Sequence, residues 1–191
     1  MLNAQFPRWQ IIASGLALVV ALATGGLFAF VNAGHAAGGG TTTTQPQNCP
    51  QGKVWSASKG KCVWINSSVD DEELYDQGRA LAKYGQYERA IEVLSAVSNR
   101  NDPRVLNYLG YSHRKLGRLD TGIRYYAKAL AINPDFVLAR EYLGEGYVAK
   151  GDLAKAREQL HEIEKRCGTG CEEYVDLAEA ITAASEGTRT N

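Results

Sequence analysis

A short motif returns three times along this chain at nearly constant spacing, and it limits the possible fold more than any other feature. It reads Gly85-Gln86-Tyr87 with Ala90, then Gly117-Arg118-Leu119 with Gly122, then Gly151-Asp152-Leu153 with Ala156. The three glycines are 117 − 85 = 32 and 151 − 117 = 34 residues apart. Apolar residues at helical spacing flank each motif, so each repeat predicts two helices joined by a turn. Because one helix pair cannot bury its apolar face alone, we expect the repeats to stack.

The middle repeat most closely resembles the tetratricopeptide repeat (TPR) family. The family positions hold Leu106, Leu109, Gly110, His113, Gly122, Tyr126, Ala129 and Pro134. In the third repeat they hold Arg140, Leu143, Gly144, Tyr147, Ala156, Leu160 and Ile163, with Gly168 where the family has Pro. In the first they hold Leu74, Gln77, Gly78, Leu81, Ala90, Leu94 and Val97, with Pro103 at the end. The resemblance covers roughly residues 71–171 and implies an all-α solenoid of three TPR helix hairpins.

Two further features complete the predicted TPR domain, residues 70–185. Apolar residues recur at helical spacing after the third repeat, at Tyr174, Leu177, Ala178 and Ile181, and predict a C-terminal capping helix. Gly110 and Gly144 lie inside helices, where glycine is tolerable if a second helix packs close to it. The motif glycines are expected to adopt a left-handed conformation after a helix end. Residues 186–191 are a tail.

The N-terminal residues 1–37 have the pattern of an export segment. Ile11–Val31 is apolar and uncharged, Arg8 precedes it, and small residues follow it at Gly34, Ala36 and Ala37. This pattern is typical of a signal peptide, but the run is also long enough for an uncleaved membrane anchor. Both alternatives place the repeats outside the cytoplasm, because the basic residue stays inside. The predicted localisation is periplasmic, or membrane-anchored and facing the exterior.

Residues 38–48, rich in Gly and Thr, predict a flexible linker, and residues 49–66 predict a small hairpin module. The module contains two β-prone stretches, Lys53–Trp55 and Lys61–Trp64, between Cys49 and Cys62. A lone hairpin is marginal in water, so it needs a disulfide or packing of Trp55 and Trp64 on the first TPR helix. It resembles short Cys-Pro modules that precede repeats in some exported bacterial proteins.

The chain has four cysteines, and an even number in an exported protein favours disulfides. The simplest connectivity is local, Cys49 with Cys62 and Cys167 with Cys171, although four cysteines allow three pairings. A zinc site of all four is disfavoured by the long gap between Cys49 and Cys62. A redox-active pair at Cys167 and Cys171 stays open, although it lacks the Cys-x-x-Cys spacing.

Composition and motifs give no indication of catalysis, a cofactor or a metal. The 21 basic and 21 acidic residues balance, so there is no cationic excess for nucleic acid. His113 occupies an aromatic position of the repeat. His161 lies among charged residues on a solvated helix face, and the alternative that His161 and Glu158 together bind a metal is the weaker interpretation. No nucleophile elbow, phosphate loop or zinc-protease motif is present. We therefore predict a protein that is not an enzyme.

The family resemblance implies a ligand groove, because the first helix of each TPR pair lines the concave face. By helical phase the outward residues are Tyr75, Arg79, Lys83, Asn107, Tyr111, Arg114, Lys115, Glu141, Tyr142, Glu145 and Val148. Cations with an amide donor suit an acidic peptide or a C-terminal carboxylate. The cations Arg79, Lys83, Arg114 and Lys115 are expected to be solvated and to contribute little to folding.

The sequence thus predicts an exported TPR scaffold that binds a protein or peptide through its groove. Two alternatives remain open. The domain could be a structural subunit of a cell-envelope assembly, held by its convex side or its N-terminal anchor. It could also be a thiol-redox protein that uses Cys167 and Cys171.

Overall fold

The computed structural model describes residues 46–67 and 69–187. The chain divides into two units, Met1–Gly40 and Thr41–Asn191, and the described residues all belong to the second. The predicted export segment Ile11–Val31 and most of the predicted linker lie outside the described residues. Within the described part of the chain, no helix combines the length and the apolar character that a membrane crossing requires.

The repeats form three helix hairpins, and a seventh helix follows them. The hairpins are α1 (Asp71–Lys83) with α2 (Tyr87–Leu94), α3 (Pro103–Lys115) with α4 (Leu119–Ile132), and α5 (Val137–Ala149) with α6 (Leu153–Cys167). The last helix, α7 (Glu172–Gly187), packs against α5 and α6. Each helix contacts the next along the chain, as expected of a TPR-like solenoid with a C-terminal capping helix.

Local chemistry sets where the helices begin and end. The side chains of Asp70, Asp102 and Asp152 accept hydrogen bonds from backbone N–H groups in the first turns of α1, α3 and α6. Gly85, Gly117 and Gly151 have φ of 78°, 75° and 77°, as predicted for the residue after each first helix. This left-handed conformation returns the chain for the second helix and favours glycine.

The helices of the middle hairpin cross at Gly110 and Gly122. A Cβ added to Gly110 would lie 2.7 Å from the Cε1 of Tyr126 and 3.1 Å from the backbone oxygen of Gly122. A Cβ on Gly122 would lie 2.9 Å from the backbone oxygen of Gly110. The predicted close approach is therefore present, and the fully buried Tyr126 ring fills the space beside it.

A two-stranded antiparallel hairpin, β1 (Lys53–Ser56) and β2 (Lys61–Trp64), precedes the helices. Cys49 and Cys62 form a disulfide, as predicted. Of the two supports that the sequence suggested for the hairpin, the disulfide is present, whereas Trp64 does not pack on the first helix and is 58% exposed. Val54 is buried instead, together with Leu74 and Leu81 of α1. It alternates with Trp55 along β1, so it occupies the opposite face of the strand.

Polar contacts hold the hairpin against the first repeat. The Glu92 carboxylate accepts a hydrogen bond from the backbone N–H of Gly52 at 3.0 Å, and Arg89 donates to the backbone oxygen of Lys53. The Glu73 carboxylate accepts from the backbone N–H of Ala57. Because these contacts involve both α1 and α2, the disulfide is not the only constraint on the hairpin.

Candidate functional site

Four tyrosines follow one another across α1, α3 and α5, and we call Tyr75, Tyr108, Tyr111 and Tyr142 the tyrosine row. Successive ring centroids are 6.1, 6.3 and 5.0 Å apart. Burial is the main cause of a raised phenol pKa at each of the four, with a value of about 12 at Tyr75 and a larger rise at Tyr142. These hydroxyls therefore stay neutral at ordinary pH. Tyr108 and Tyr142 are buried, so the accessible aromatic surface of the row comes from the partly exposed Tyr75 and Tyr111.

Two lysines lie at the edge of the tyrosine row. The Lys83 Nζ is 3.5 Å from the hydroxyl of Tyr142, and the Lys115 Nζ is 5.4 Å from the ring centroid of Tyr111. Both side chains are exposed, as expected from the sequence. Among the ion pairs between described residues, none includes Lys83 or Lys115. Their charges are therefore available to a ligand that approaches the tyrosine row.

Arg114 differs from this expectation, since its side chain is only 9% exposed. Its guanidinium forms an ion pair with Glu145 and donates to the hydroxyl of Tyr126. Its Cζ lies 5.6 and 5.7 Å from the ring centroids of Tyr111 and Tyr142. The prediction that Arg114 is solvated is wrong, because helical phase could not show that α5 would cover it. Arg114 joins α3 to α5 and is not a free cation.

Two further arginines are partly exposed, Arg79, which the sequence predicted, and Arg104, which it did not. Arg79 is 3.8 Å from the Asp76 carboxylate, a weak surface pair. Arg104, which the sequence analysis did not select, places its Cζ 4.5 Å from the ring centroid of Tyr75 and pairs with Glu72 and Asp102. Its charge is thus already compensated, unlike that of Lys83 and Lys115.

The α5 end of the groove is acidic. Glu141 is only 5% exposed, and no hydrogen bond or ion pair with another described residue compensates its carboxyl group. Burial, followed by the negative charges of Glu145, Asp176 and Glu173, raises the pKa of Glu141 to about 8. Two of these neighbours come from α7, so the capping helix contributes charge to the groove. At neutral pH Glu141 is held largely in its protonated form.

Asn107 is fully buried, and neither its side-chain oxygen nor its side-chain nitrogen has a hydrogen-bond partner among the described residues. Leaving such an amide unpaired costs about 1–3 kcal/mol. Its position in the second repeat is equivalent to Tyr75 in the first and Glu141 in the third, because 107 − 75 = 32 and 141 − 107 = 34. Because the amide has no access to solvent, Asn107 does not belong to the accessible surface of the groove, contrary to the prediction from helical phase.

Helical phase missed Tyr108, Asp176 and Glu173 as members of this face. A signal for Tyr108 existed in the sequence, because it lies 34 residues before Tyr142, which the phase did select. The acidic residues of α7 had no such signal, since they follow the last repeat. Their contribution depends on the packing of α7 against α5.

The remaining candidates for metal binding or catalysis are two histidines and two cysteines. The imidazole of His113 stacks on Tyr125 with 5.4 Å between ring centroids, and burial lowers the pKa of His113. His161 is exposed and lies 3.4 Å from Glu164. Cys167 and Cys171 form the second disulfide in the turn between α6 and α7, with the Glu173 carboxylate within 4.8 Å of both sulfurs.

Comparison with known families and structures agrees with this architecture. The family model for the tetratricopeptide repeat matches twice, at residues 75–135 and 109–168. Residues 75–168 form a tetratricopeptide repeat region. The two matches overlap across the middle hairpin and together include the tyrosine row and all of the predicted groove residues. No curated protein matches the sequence.

Several solved structures share the TPR fold. The Yersinia enterocolitica type III secretion chaperone SycD, in complex with a peptide of the translocator YopD, is 22% identical with a TM-score of 0.52, covering 65% of this chain and 98% of SycD. The first TPR domain of Spaghetti (RPAP3), bound to the HSP90 peptide SRMEEVD, is 17% identical with a TM-score of 0.54, covering 61% and 94%. MamA 41-end from Desulfovibrio magneticus RS-1 is 29% identical with a TM-score of 0.47, covering 49% and 54%, so this chain spans about half of it.

Proposed function

We propose that this TPR protein binds an extended segment of another protein along the tyrosine row. The observation that carries the proposal is the pair of lysines, Lys83 and Lys115, which lie at the row without an ion-pair partner among the described residues. A carboxylate of the bound segment would pair with these lysines, and the apolar side chains of the segment would contact the partly exposed rings of Tyr75 and Tyr111. Solved TPR structures with a bound YopD peptide or the peptide SRMEEVD support this mode of recognition.

The acidic end of the groove adds a second requirement to the ligand. The negative charges of Glu145, Asp176 and Glu173 raise the pKa of Glu141, and the Arg114 guanidinium opposes them with a smaller effect. A lysine or arginine of the ligand near α5 would therefore be favoured. The bound segment would carry its acidic residue near Lys83 and Lys115 and its basic residue near Glu145, Asp176 and Glu173.

The experiment is affinity capture with the purified full chain from a cell-envelope fraction, followed by mass spectrometry. In one variant Lys83→Glu is combined with Lys115→Glu. A matched control combines Lys155→Glu with Lys165→Glu on α6, where the lysines are also exposed. We expect the groove variant alone to lose the captured partner, at an unchanged melting temperature. Higher salt should also weaken capture, because exposed charges are screened within about 8 Å at physiological ionic strength.

Capture that survives both the groove variant and high salt would contradict peptide recognition. It would favour the structural role in an envelope assembly, where contacts lie elsewhere on the domain. Arg114 is left unchanged in this design, because its pairing with Glu145 makes it a structural residue.

We also propose that the repeats act outside the cytoplasm. The apolar segment Ile11–Val31 with its preceding Arg8 supports export, and the two disulfides suit an oxidising compartment. A reporter that is active only outside the cytoplasm, fused after Ser185, tests this directly. An inactive reporter would contradict export. The mass of the product then distinguishes cleavage near Ala36 or Ala37 from a retained anchor.

A further inference from the structure

A cavity of about 540 Å³ opens between α2, α3 and α4, and none of its lining residues belongs to the predicted groove. One wall consists of Val105, Leu106 and Leu109 of α3. The other consists of Tyr125, Ala131 and Ile132 of α4, of which Ile132 is 48% exposed. The apolar surface is therefore open to a ligand and is not filled by the described residues of the chain.

The cavity exists because α2 is short. The helix has 8 residues, whereas the equivalent helices α4 and α6 have 14 and 15. After Leu94 the chain turns inward, and Val97 is buried in the core of the first repeat. The Asp71 carboxylate fixes this turn by accepting hydrogen bonds from the backbone N–H groups of Ser98 and Asn99, at 2.8 and 3.1 Å. The turns that would cover α3 and α4 are thus missing from this repeat.

The charged residues that line the cavity are both cations. Arg100 and Lys128 line it, and none of its eleven lining residues is acidic. The ion pairs between described residues include neither cation. Arg100 donates to the backbone oxygen of Ser95, and the Lys128 Nζ lies 5.8 Å from the ring centroid of Tyr125. Both contacts leave further N–H donors for an anionic group.

The size of the cavity distinguishes between kinds of occupant. Sites for small molecules have volumes of roughly 300–1,000 Å³, with mostly apolar walls and a few polar groups that fix the orientation. A stable interface between proteins buries about 800 Å² of each partner. A recess lined by eleven residues fits the first description and not the second.

We infer that this cavity binds a single-chain anionic amphiphile, with its apolar chain between α3 and α4 and its carboxylate at Arg100 and Lys128. The site is separate from the peptide groove, so the inference does not depend on the proposed function. A carboxylate is the simplest headgroup, because a guanidinium and an ammonium both donate charge-assisted hydrogen bonds to it.

The test is calorimetric titration of the full chain with dodecanoate below its micelle concentration, and with dodecyltrimethylammonium as the cationic probe of equal chain length. Ala131→Phe fills the cavity from an exposed position of α4. The matched control is Ala154→Phe, an exposed alanine of α6 outside the cavity. A second variant, Arg100→Gln with Lys128→Gln, removes the charges and leaves the apolar walls. The difference in dodecanoate binding between wild type and Ala131→Phe distinguishes binding in the cavity from binding elsewhere on the chain.

We expect dodecanoate affinity to fall at least about tenfold in Ala131→Phe and in the double variant, and to persist in Ala154→Phe. The cationic probe should bind wild type more weakly than dodecanoate. Equal binding of the two probes, or dodecanoate binding unaffected by Ala131→Phe, would overturn the inference. So would a wild-type dimer that dissociates in Ala131→Phe without dodecanoate binding, because a second copy would then cover the cavity.

Discussion

Replacing Gly110 by leucine tests whether the crossing of α3 and α4 is as close as the structure shows. Even a Cβ at this position would lie 2.7 and 2.8 Å from two ring carbons of Tyr126. The ring is fully buried and cannot turn into solvent, and the backbone oxygen of Gly122, at 3.1 Å, belongs to the facing helix. Leucine adds three more carbons, so α3 and α4 must separate or Tyr126 must leave its site.

The expected loss follows from two opposing contributions. Overpacking a filled core costs about 1–3 kcal/mol and occasionally more, and the rigid neighbours here place leucine at the upper end. Leucine is a better helix former than glycine by about 1 kcal/mol, which offsets part of that cost. The net loss is therefore about 2 kcal/mol or more. For a domain of this size it corresponds to a fall in melting temperature of roughly 8 °C or more.

Thermal unfolding followed by circular dichroism at 222 nm measures this loss, with urea unfolding as an independent estimate. Ala127→Leu is the matched control, because Ala127 is exposed on α4 and leucine is also a good helix former. We expect that control to change the free energy of unfolding by less than about 0.5 kcal/mol. If Gly110→Leu melts at the temperature of the control, the close crossing is not present in solution.

Four other substitutions test the site and its supports. Arg114→Ala should lower the free energy of unfolding by more than the ~0–1 kcal/mol of a surface ion pair. The loss should stay below the ~3–5 kcal/mol of a fully buried pair, because Glu145 is 27% exposed. Urea unfolding measures this loss. Asn107→Leu should leave stability unchanged or raise it, since it removes an unpaired buried amide, and it should leave partner capture unchanged because this side chain has no access to solvent. Glu141→Gln should remove a pH dependence of stability. Because the pKa of Glu141 is raised in the folded protein, the protonated carboxyl group stabilises the wild type fully at pH values below the pKa that Glu141 has in the unfolded chain. This contribution is lost as the pH rises through the folded pKa of about 8. Urea unfolding at pH 5 and pH 8.5 measures this. From the lower to the higher pH, the free energy of unfolding of Glu141→Gln should rise relative to that of the wild type by at least about 1.4 kcal/mol. The exposed Glu158→Gln is the control. Cys62→Ser should loosen the hairpin without unfolding the repeats, since closing a loop of about 15 residues contributes ~3 kcal/mol in the chain-entropy model; hydrogen exchange of the hairpin amides measures this.

The repeat architecture was predictable because its determinants are local. Glycine after each first helix and glycine at the helix crossing are both readable from sequence spacing, and both have the expected geometry. The short α2 was not predicted. Its end depends on Asp71, which is 27 residues away from the N–H group of Ser98 that it binds. The cavity between α2, α3 and α4 could not be predicted for the same reason.

The groove was predictable only in part, because helical phase gives the direction of a side chain but not what covers it. Lys83 and Lys115 lie on the face that the phase predicts, and both remain exposed. Arg114 lies on the same helix as Lys115, but Glu145 and Tyr126 bury and pair it. The acidity near Glu141 arises from Glu145 of α5 and also from Asp176 and Glu173 of α7, which lies outside the repeats. Charge in a solenoid groove thus depends on contacts between repeats that no single repeat contains.

The equivalent positions of the three repeats suggest how the groove could give a bound segment a direction. One position holds Tyr75, Asn107 and Glu141, and the next turn holds Arg79, Tyr111 and Glu145. Both series change from aromatic or basic to acidic along the solenoid. The glycine that lies between the two positions is present in all three repeats, because the helices pack closely there. A segment bound in reverse would place its acidic residue near Glu145, Asp176 and Glu173 and its basic residue beside Lys83, and both contacts would be repulsive. Because like charges exclude the wrong orientation, a bound segment with one acidic and one basic end would adopt a single direction.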